Sequence, residues 1–265
     1  MADLYLRNVR VRIVSQIGIG KTLTGLRVIF DIDKTNEANP NRADVGIYNV
    51  NENTKGILEA KNTKVFLDAG YGDDLQTIFV GNVTKVTHDN RSPDILTKLE
   101  LGDGDNAFRN GRIEEGFPPG TSTSHLFDKL IEASGLGRGA VKGIPDVNYA
   151  NGIVLSGSVR HNLNELCKKS DLEWSIQDEA IQVLPKKQFN LDSIALLTPE
   201  TGLIGSPSKT KKGIEFTSLL QAKLRPGGKV KIESRDYNGI FKLRKVNHKG
   251  DTHENDFQSV CEATL

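Results

Sequence analysis

The fold is decided by residues 198–234, TPETGLIGSPSKTKKGIEFTSLLQAKLRPGGKVKIES. Proline and glycine interrupt this stretch at Pro199, at 205–207 and at 225–228. Short apolar segments lie between the interruptions, and residues 229–233 alternate between charged and apolar side chains. Short alternating segments divided by Pro and Gly predict the strands and corners of a β-barrel. Nothing in the stretch is typical of a reaction centre.

Composition indicates a soluble protein of more than one domain. The chain has 265 residues, with 37% hydrophobic residues, 26% charged residues and a formal net charge of +1. This length suits two or three small domains, and the balanced charge gives no overall field that would attract nucleic acid or a membrane surface. No apolar run approaches the roughly 20 residues of a membrane helix, and no export signal is recognisable. Cys167 and Cys261 belong to no CxxC pair and are predicted to be buried, reduced thiols.

Residues 1–117 form the first β unit. Alternation of apolar and polar residues predicts its strands, which lie at 9–13, 26–32, 43–50, 63–69, 76–80, 83–88 and 95–101. Residues 90–93 break the series before its last strand. One short helix is predicted at 51–61, with Asn53 or Thr54 as its N-cap. This succession of short strands indicates a barrel or a sandwich.

Residues 118–188 have a mixed pattern that predicts a small α+β unit. Thr121 or Ser122 caps a helix whose apolar residues share one face, namely Leu126, Phe127, Leu130 and Ile131. The sequence then predicts a flexible glycine-rich loop at 135–143, a strand at 153–155, a helix at 162–170 and a hairpin of strands 172–176 and 181–184.

Residues 189–265 contain only strands and turns and form the second β unit. Its clearest strands are predicted at 216–220, 229–234, 239–248 and 256–264, with Gly, Pro or Asn between them. The sequences of the two β units differ too much to establish an internal repeat. The chain is therefore predicted to be mainly β, with an α+β unit between two β units.

Two segments fall short of known ligand-binding motifs. Residues 18–22 (GIGKT) lack the glycine that a phosphate-binding loop needs five positions before Gly20, and β-branched residues follow where a helix should begin. We predict a hairpin there. Residues 103–106 (DGDN) start like a calcium loop, but Ala107 and Phe108 stand where the third ligand and the glycine belong. We predict a solvated turn.

The densest group of possible metal ligands is His248, Asp251, His253 and Asp256. If residues 244–248 and 256–264 are paired strands, these residues lie in the loop between them, where polar side chains need no metal to explain them. We predict an exposed loop, with metal binding as the alternative.

Evidence for catalysis is weak. Glu114 and Glu115 are adjacent, so on an extended segment they point apart and do not flank one bond as a glycosidase pair does. No G-x-S-x-G elbow occurs. Trp174 lies in an alternating hairpin and is predicted to be a core residue. No catalytic residue, cofactor or metal site is assigned.

The lysines of the opening stretch are the one set of candidate site residues. Lys209, Lys211 and Lys212 lie between two predicted strands. A solvated loop explains them, and a contact with an acidic partner surface is the alternative.

Several segments, taken in order, resemble the baseplate hub proteins of bacteriophage tails, a group that includes the hub domains of type VI secretion spikes. In the first β unit they are NRADVGIYNV (41–50), KVFLDAGYG (64–72) and TIFVG (77–81). Further along they are LSGS (155–158), LEWSIQDEAIQVL (172–184) and residues 198–207 and 224–230. The resemblance covers nearly the whole chain. Each segment alone is a weak match, but their order along the chain is specific.

The resemblance implies two tube-like antiparallel β-barrel domains, at 1–117 and 189–265, with a small α+β domain at 118–188 between them. It implies a homotrimer in which six barrels continue the sixfold tail tube and the threefold face seats the central spike. The lumen of such a hub passes the tape-measure protein and DNA.

The implied partners are further copies of the chain, the tail tube protein, the central spike protein, the tape-measure protein and other baseplate proteins, with no direct contact to the host envelope. The implied location is the virion tail tip, after assembly in the host cytoplasm. Some members carry a fused lysozyme or peptidase domain. Because this chain ends at Leu265 without one, we expect no enzymatic activity.

Two other functions stay open at the level of sequence. A tail-associated cell-wall polysaccharide hydrolase would need two converging carboxylates. A carbohydrate-binding β module would need Trp174 and Tyr71 as exposed aromatic residues.

Overall fold

The computed structural model describes residues 6–91 and 93–265, without the side chain of Arg91. The strands up to residue 117 are β1 (Arg7–Val14), β2 (Gly20–Leu23), β3 (Val28–Thr35), β4 (Arg42–Tyr48), β5 (Lys64–Tyr71), β6 (Asp74–Arg91), β7 (Asp94–Gly102) and β8 (Arg112–Phe117). The next are β9 (Thr121–Ser122), β10 (Gly137–Val141), β11 (Asn148–Tyr149), β12 (Ile153–Ser158), β13 (Leu172–Gln177) and β14 (Ala180–Pro185). The last are β15 (Asn190–Leu197), β16 (Leu203–Lys209), β17 (Ile214–Leu219), β18 (Gly228–Glu233), β19 (Asn238–Asp251) and β20 (Phe257–Thr264).

The helices are α1 (Glu52–Glu59), α2 (Asp105–Asn110), α3 (Thr123–Ser134), α4 (Val159–Lys169) and a 3-10 turn (Pro199–Thr201). The predicted helix α3 is confirmed, because Ser122 caps it by accepting a hydrogen bond from the His125 N–H and its four predicted apolar residues are buried. Gly135 ends it in the left-handed conformation, which glycine adopts without strain. Within the described residues no helix has the length and apolarity that crossing a membrane requires.

Two helix boundaries differ from the predictions. The N-cap of α1 is Asn51, which accepts from the Thr54 N–H, so the predicted caps Asn53 and Thr54 are wrong. Helix α4 begins at Val159, before the predicted start at residue 162, because Ser158 caps it. In both cases the residue just before the helix satisfies an N–H group that has no partner inside it.

The mainly β prediction is confirmed. Thirteen strands form one sheet, in which the order is β16-β17-β20-β19-β3-β4-β7-β6-β5-β1-β2 and β18 and β15 branch from β19. In the described part of the chain, no ladder closes either β unit into a barrel. Instead, β19 pairs with β3 and joins the two units. A pairing between such distant segments leaves no local trace in the sequence.

Two predicted strands, 76–80 and 83–88, are a single 18-residue strand, β6. The register against β7 shifts between Val83 and Lys85, so a β-bulge interrupts the alternation that sequence analysis followed. The predicted break at 90–93 includes Ser92, which lies outside the described residues.

The predicted flexible loop at 135–143 contains strand β10, which pairs parallel with β14. Its glycines suit the close approach of the two backbones, since a Cβ at Gly139 would lie 3.0 Å from the carbonyl oxygen of Ile181. Strand β16 likewise runs through the predicted break at 205–207, with a register shift in place of an end. Prediction from glycine content alone therefore assigned to loops residues that form strands.

Buried apolar residues form three clusters. The first lies in the first β unit and includes Leu220, Ala222 and Phe257 from the second. The second cluster spans Ile113 to Val183, and the third spans Ala195 to Ala263. Because Phe257 packs edge-to-face against Phe30, the two β units share apolar contacts as well as a sheet. The domain boundaries after residues 117 and 188 stay a prediction.

Candidate assembly site

Strand β19 is where the two β units meet. Its residues 238–242 pair with β18 and its residues 245–251 pair with β3. Because β20 occupies the opposite edge from residue 242 onward, β18 and β3 follow one another along a single edge of β19. A strand of 14 residues is long enough to serve both units.

The turn between β13 and β14 docks the α+β unit on this junction. Its residues Asp178 and Glu179 have φ values of 55° and 65°, as a two-residue hairpin turn requires. Their N–H groups donate to the carboxylate of Asp103 at 2.8 and 2.6 Å, and the side-chain amide of Asn41 donates to it at 3.1 Å. Burial, together with the neighbouring Asp178, raises the pKa of Asp103 to about 7.

The predicted solvated turn at 103–106 is therefore wrong. Asp103 is fully buried, and α2 begins directly after Gly104, which has a φ of 67°. Sequence reasoning missed this role because the hydrogen-bond donors come from a turn 75 residues away.

Lys34 lies beneath the same turn and is 1% exposed. Its Nζ is 2.7 Å from Oδ1 of Asp178 and donates to the carbonyl oxygen of Ile78 at 3.2 Å. From the second β unit, Arg225 comes within 3.4 Å of the other oxygen of Asp178 and donates to the carbonyl oxygen of Thr77 at 3.0 Å. Asp178 thus bridges a cation from each β unit. Since a buried charge is costly without its partner, this cluster depends on all three units being in place.

The four predicted metal-ligand candidates do not form one site. His248 lies in β19 and is 1% exposed, with Nδ1 2.8 Å from the hydroxyl of Ser259. Burial, together with the nearby Lys34, lowers the pKa of His248 to about 3. Asp251 ends the strand and binds Arg27 at 2.7 Å, whereas His253 and Asp256 are exposed in the following turn.

The prediction of an exposed loop is thus wrong for His248 and Asp251. Strand β19 continues to Asp251, three residues past the predicted end at residue 248. Within the residues that the structure describes, no group of three or more His, Cys, Asp or Glu residues could hold a metal ion.

Lys209, Lys211 and Lys212 lie at the tip of the hairpin formed by β16 and β17. All three are exposed, and the tip is closed by a 2.9 Å hydrogen bond from the Thr210 N–H to the carbonyl oxygen of Gly213. The fold thus places three ammonium groups at one end of the second β unit. Their role as a partner-contact loop stays a prediction.

Residues considered for ligand binding or catalysis are dispersed. The segment 18–22 lies in the predicted hairpin, and its last three residues pair antiparallel with β1. Glu114 and Glu115 are exposed on β8. Trp174 is buried and donates from Nε1 to Asn164 at 2.8 Å, which confirms it as a core residue and removes one aromatic residue that a carbohydrate platform would need. Both cysteines are buried and free, as predicted.

A row of charged residues crosses the sheet on the face opposite the core. Asp31, Asp44 and Glu100 lie directly opposite one another on β3, β4 and β7, with Lys249 beyond Asp31 and Lys85 beyond Glu100. Burial and the nearby Glu100 raise the pKa of Asp44. All of these residues except Lys85 line a concave cleft of about 890 Å³. Alternation in the sequence predicts which side chains of each strand point away from the core. Only the register between the strands places these side chains in one row.

Solved structures show the same fold at low sequence identity. The prophage MuSo2 43 kDa tail protein from Shewanella oneidensis matches with a TM-score of 0.67 and 9% identity, over 97% of this chain and 98% of that chain. The tail protein from Neisseria meningitidis MC58 matches with a TM-score of 0.66 and 12% identity, over 98% and 97%. The E. coli c3393 protein, a component of the type VI secretion system, matches with a TM-score of 0.62 and 11% identity, over 90% and 73%. The fold is therefore that of phage tail proteins.

A family model for baseplate hub gp41 matches residues 10–262. The chain therefore belongs to the baseplate hub gp41 family, and the resemblance found in the sequence is confirmed. This membership supports a structural role in the phage tail baseplate. A search of curated proteins found no match.

Proposed function

We propose that this chain is the hub at the tip of a phage tail, a homotrimer that adapts the sixfold tail tube to the threefold central spike. The observation that carries the proposal is the ladder between β3 and β19, which sets the two β units side by side in one sheet. Three copies present six such units, so the units match a sixfold partner while the chains match a threefold partner.

The cluster of charges at the junction supports a rigid adaptor. Asp178 contacts Lys34 of the first β unit and Arg225 of the second, so the α+β unit fixes the angle between the two units. An adaptor needs this rigidity, because a change in the angle within one copy would alter the diameter of the ring.

The charged face of the sheet is proposed to line the channel for DNA and the tape-measure protein. This face is continuous across both β units through β3 and β19. Its central row of Asp31, Asp44 and Glu100 repels phosphate, which suits a surface that DNA must pass without binding.

The proposed partners are the tail tube protein above, the central spike protein below, the tape-measure protein inside and other baseplate proteins around the hub. Lys209, Lys211 and Lys212 are proposed to contact an acidic surface of one of them. The role is structural and non-enzymatic, and the proposed site of assembly is the host cytoplasm.

Light scattering of the purified chain, followed by its reconstitution with the tail tube and spike proteins, tests the function. We expect a particle of three times 29.1 kDa that binds both proteins. A monomer that joins neither protein would overturn the proposal. Hydrolysis of peptidoglycan by the pure chain, abolished in a Glu114→Gln variant, would favour the hydrolase alternative.

A further inference from the structure

Lys34 and Asp178 meet in a largely closed site. Lys34 is 1% exposed, and its Nζ is 2.7 Å from Oδ1 of Asp178 and 3.2 Å from the carbonyl oxygen of Ile78. The other carboxylate oxygen, Oδ2, is buried, accepts no hydrogen bond from the described residues and faces the guanidinium of Arg225 at 3.4 Å. Because charged groups are costly in such a site, a reaction that makes the amine and the carboxylate neutral is favoured there.

We propose that Lys34 and Asp178 condense after folding to an isopeptide bond, which ties the first β unit covalently to the α+β unit. Nζ of Lys34 attacks Cγ of Asp178, since a desolvated lysine amine is a nucleophile. Two of the three ammonium protons pass to Oδ1, the Cγ–Oδ1 bond breaks, and Oδ1 leaves as water. An ammonium and a carboxylate thus give an amide and water, and no other reactant is needed.

The neighbouring groups fit each stage of this reaction. Nζ is 2.7 Å from an oxygen bonded to Cγ, close to the separation of about 3–3.5 Å between reacting atoms from which bonds form. Oδ2 gains negative charge in the tetrahedral intermediate, where the fixed cation of Arg225 stabilises it. The proton that stays on Nζ is donated to the carbonyl oxygen of Ile78, which Nζ already contacts. The amide therefore has a partner for its N–H and for its oxygen.

A second buried pair lacks these features. Lys242 is 3% exposed, and its Nζ is 2.6 Å from Oε1 of Glu173. The same Nζ donates to the carbonyl oxygens of Pro185 and Lys186, both at 3.1 Å. An amide nitrogen carries one hydrogen, so condensation would leave one of these carbonyl groups without its donor. Oε1 is also held by the side-chain amide of Asn36 at 2.8 Å. This pair is expected to stay an ion pair.

The second β unit supplies a counterpart of Lys34, because the two units repeat one strand order. In the first unit the neighbours are β3-β4-β7-β6-β5, and in the second they are β16-β17-β20-β19-β18. Every neighbouring pair in both series is antiparallel. Strand β3 therefore corresponds to β16, and β6 corresponds to β19.

Strands β6 and β19 also match residue by residue. Each contains one bulge against the following strand, after which come KVTH at 85–88 and KVNH at 245–248. Nδ1 of His88 is 3.1 Å from the hydroxyl of Thr97, and Nδ1 of His248 is 2.8 Å from the hydroxyl of Ser259. His88 therefore corresponds to His248.

Counting across the paired strands from these histidines makes Ile32 of β3 the counterpart of Lys209 in β16. Lys34 and Lys211 each lie two residues further along the chain. Lys211 is exposed at the hairpin tip, whereas Lys34 lies beneath the turn of the α+β unit. The chain thus offers a corresponding lysine in solvent as a control.

Mass spectrometry of the full chain tests the bond. The purified chain, incubated at neutral pH and then denatured, is expected to weigh one water molecule less than its sequence. Trypsin does not cleave after an acylated lysine, so digestion should release a branched peptide of residues 28–42 and 170–186.

Three matched variants assign the mass deficit. Lys34→Arg keeps a cation but has no amine to acylate, so its mass should equal the sequence mass. Lys211→Arg and Lys242→Arg should keep the deficit. Arg225→Gln removes the cation beside Oδ2 and should slow the accumulation of linked chain after cell-free synthesis by about ten-fold or more.

The full sequence mass in the folded, incubated chain would overturn the proposal. A deficit that persists in Lys34→Arg would also overturn it, because the water would then come from another part of the chain. The branched peptide is sought in the unaltered chain, so the test does not depend on the folding of a variant. Because the bond lies within one chain, neither result bears on the proposed homotrimer.

Discussion

His248 and His88 occupy corresponding positions in β19 and β6, but their environments differ. His248 is buried near Lys34, Asp178 and Arg225, whereas His88 is exposed and also contacts Glu59 at 2.9 Å. Both histidines bond a hydroxyl of the next strand. The difference shows that the burial of these histidines is set by the residues that pack over them and not by the strand that carries them.

A lysine near the end of β3 and a lysine just after β16 show the same contrast. Lys34 lies two residues after Ile32 and is buried against Asp178, whereas Lys211 lies two residues after Lys209 and is exposed. The α+β unit covers the first lysine, and the described part of one chain leaves the second in solvent.

The largest effect is expected for Lys34→Ala. The change leaves a cavity and strips Asp178 of its closest cation, so the free energy of unfolding should fall by about 3–5 kcal/mol. Chemical denaturation followed by Trp174 fluorescence measures this. The matched change Lys211→Ala should alter the free energy of unfolding by no more than about 0.5 kcal/mol. Equal losses in the two variants would show that burial of Lys34 adds nothing to stability.

Next is His248→Ala, which empties a buried site and leaves Ser259 without its partner. We expect a loss of about 2–3 kcal/mol, against about 0.5 kcal/mol or less for His88→Ala in the monomer. Thermal and urea unfolding of the two variants give the values. A large loss for His88→Ala in a verified monomer would show that residues of one chain already cover His88.

Two buried groups, His248 and Asp103, are expected to change the free energy of unfolding with pH in opposite directions. The pKa of His248 falls to about 3, so the unfolded chain binds the extra proton and stability rises with pH up to about 6.5. The pKa of Asp103 rises to about 7, so the folded chain binds the extra proton and stability falls as pH rises from about 4 to 7.

Single replacements should expose these opposing slopes, each up to about 1.4 kcal/mol per pH unit. His248→Gln should make stability fall more steeply with rising pH, and Asp103→Asn should make it rise more steeply. Urea unfolding at intervals from pH 4.5 to 6.5 measures both slopes. Parallel curves for the two variants would show that neither group has a shifted pKa in the folded protein.

The smallest effect is expected for Lys85→Ala in β6. Lys85 lies 2.7 Å from Glu100, but both side chains are more than half exposed, so water screens the pair. We expect a change of at most about 0.5 kcal/mol that shrinks further in 1 M salt. A larger change would mean that water does not screen this pair.

Sequence reasoning located most strands and the α+β hairpin because alternation and turn residues are local. Trp174 and the apolar face of α3 were also predictable, since each follows from periodicity around it. The wrong predictions concern residues whose structure depends on a hydrogen-bond partner distant in sequence. Asp103 was placed in a solvated turn because its donors lie in the turn at 178–179, and β10 was placed in a loop because its strand partner is β14.

The candidate site was less predictable than the fold. The lysine tip was found from its charge, but the row of Asp31, Asp44 and Glu100 needs the register of three strands. The repeat of the two β units also escaped detection, because KVTH and KVNH are too short to stand out without the matching bulges and strand order.

By itself, the sequence determined the mainly β class, the hairpin of β13 and β14 and the resemblance to baseplate hubs. These inferences depend on the periodicity of apolar residues and on the order of short sequence segments along the chain. Only the tertiary structure decided that β19 joins the units through β3 and that Lys34 and Asp103 are buried. The reason is that hydrogen-bond partners and desolvation come from residues distant in sequence, which no local pattern encodes.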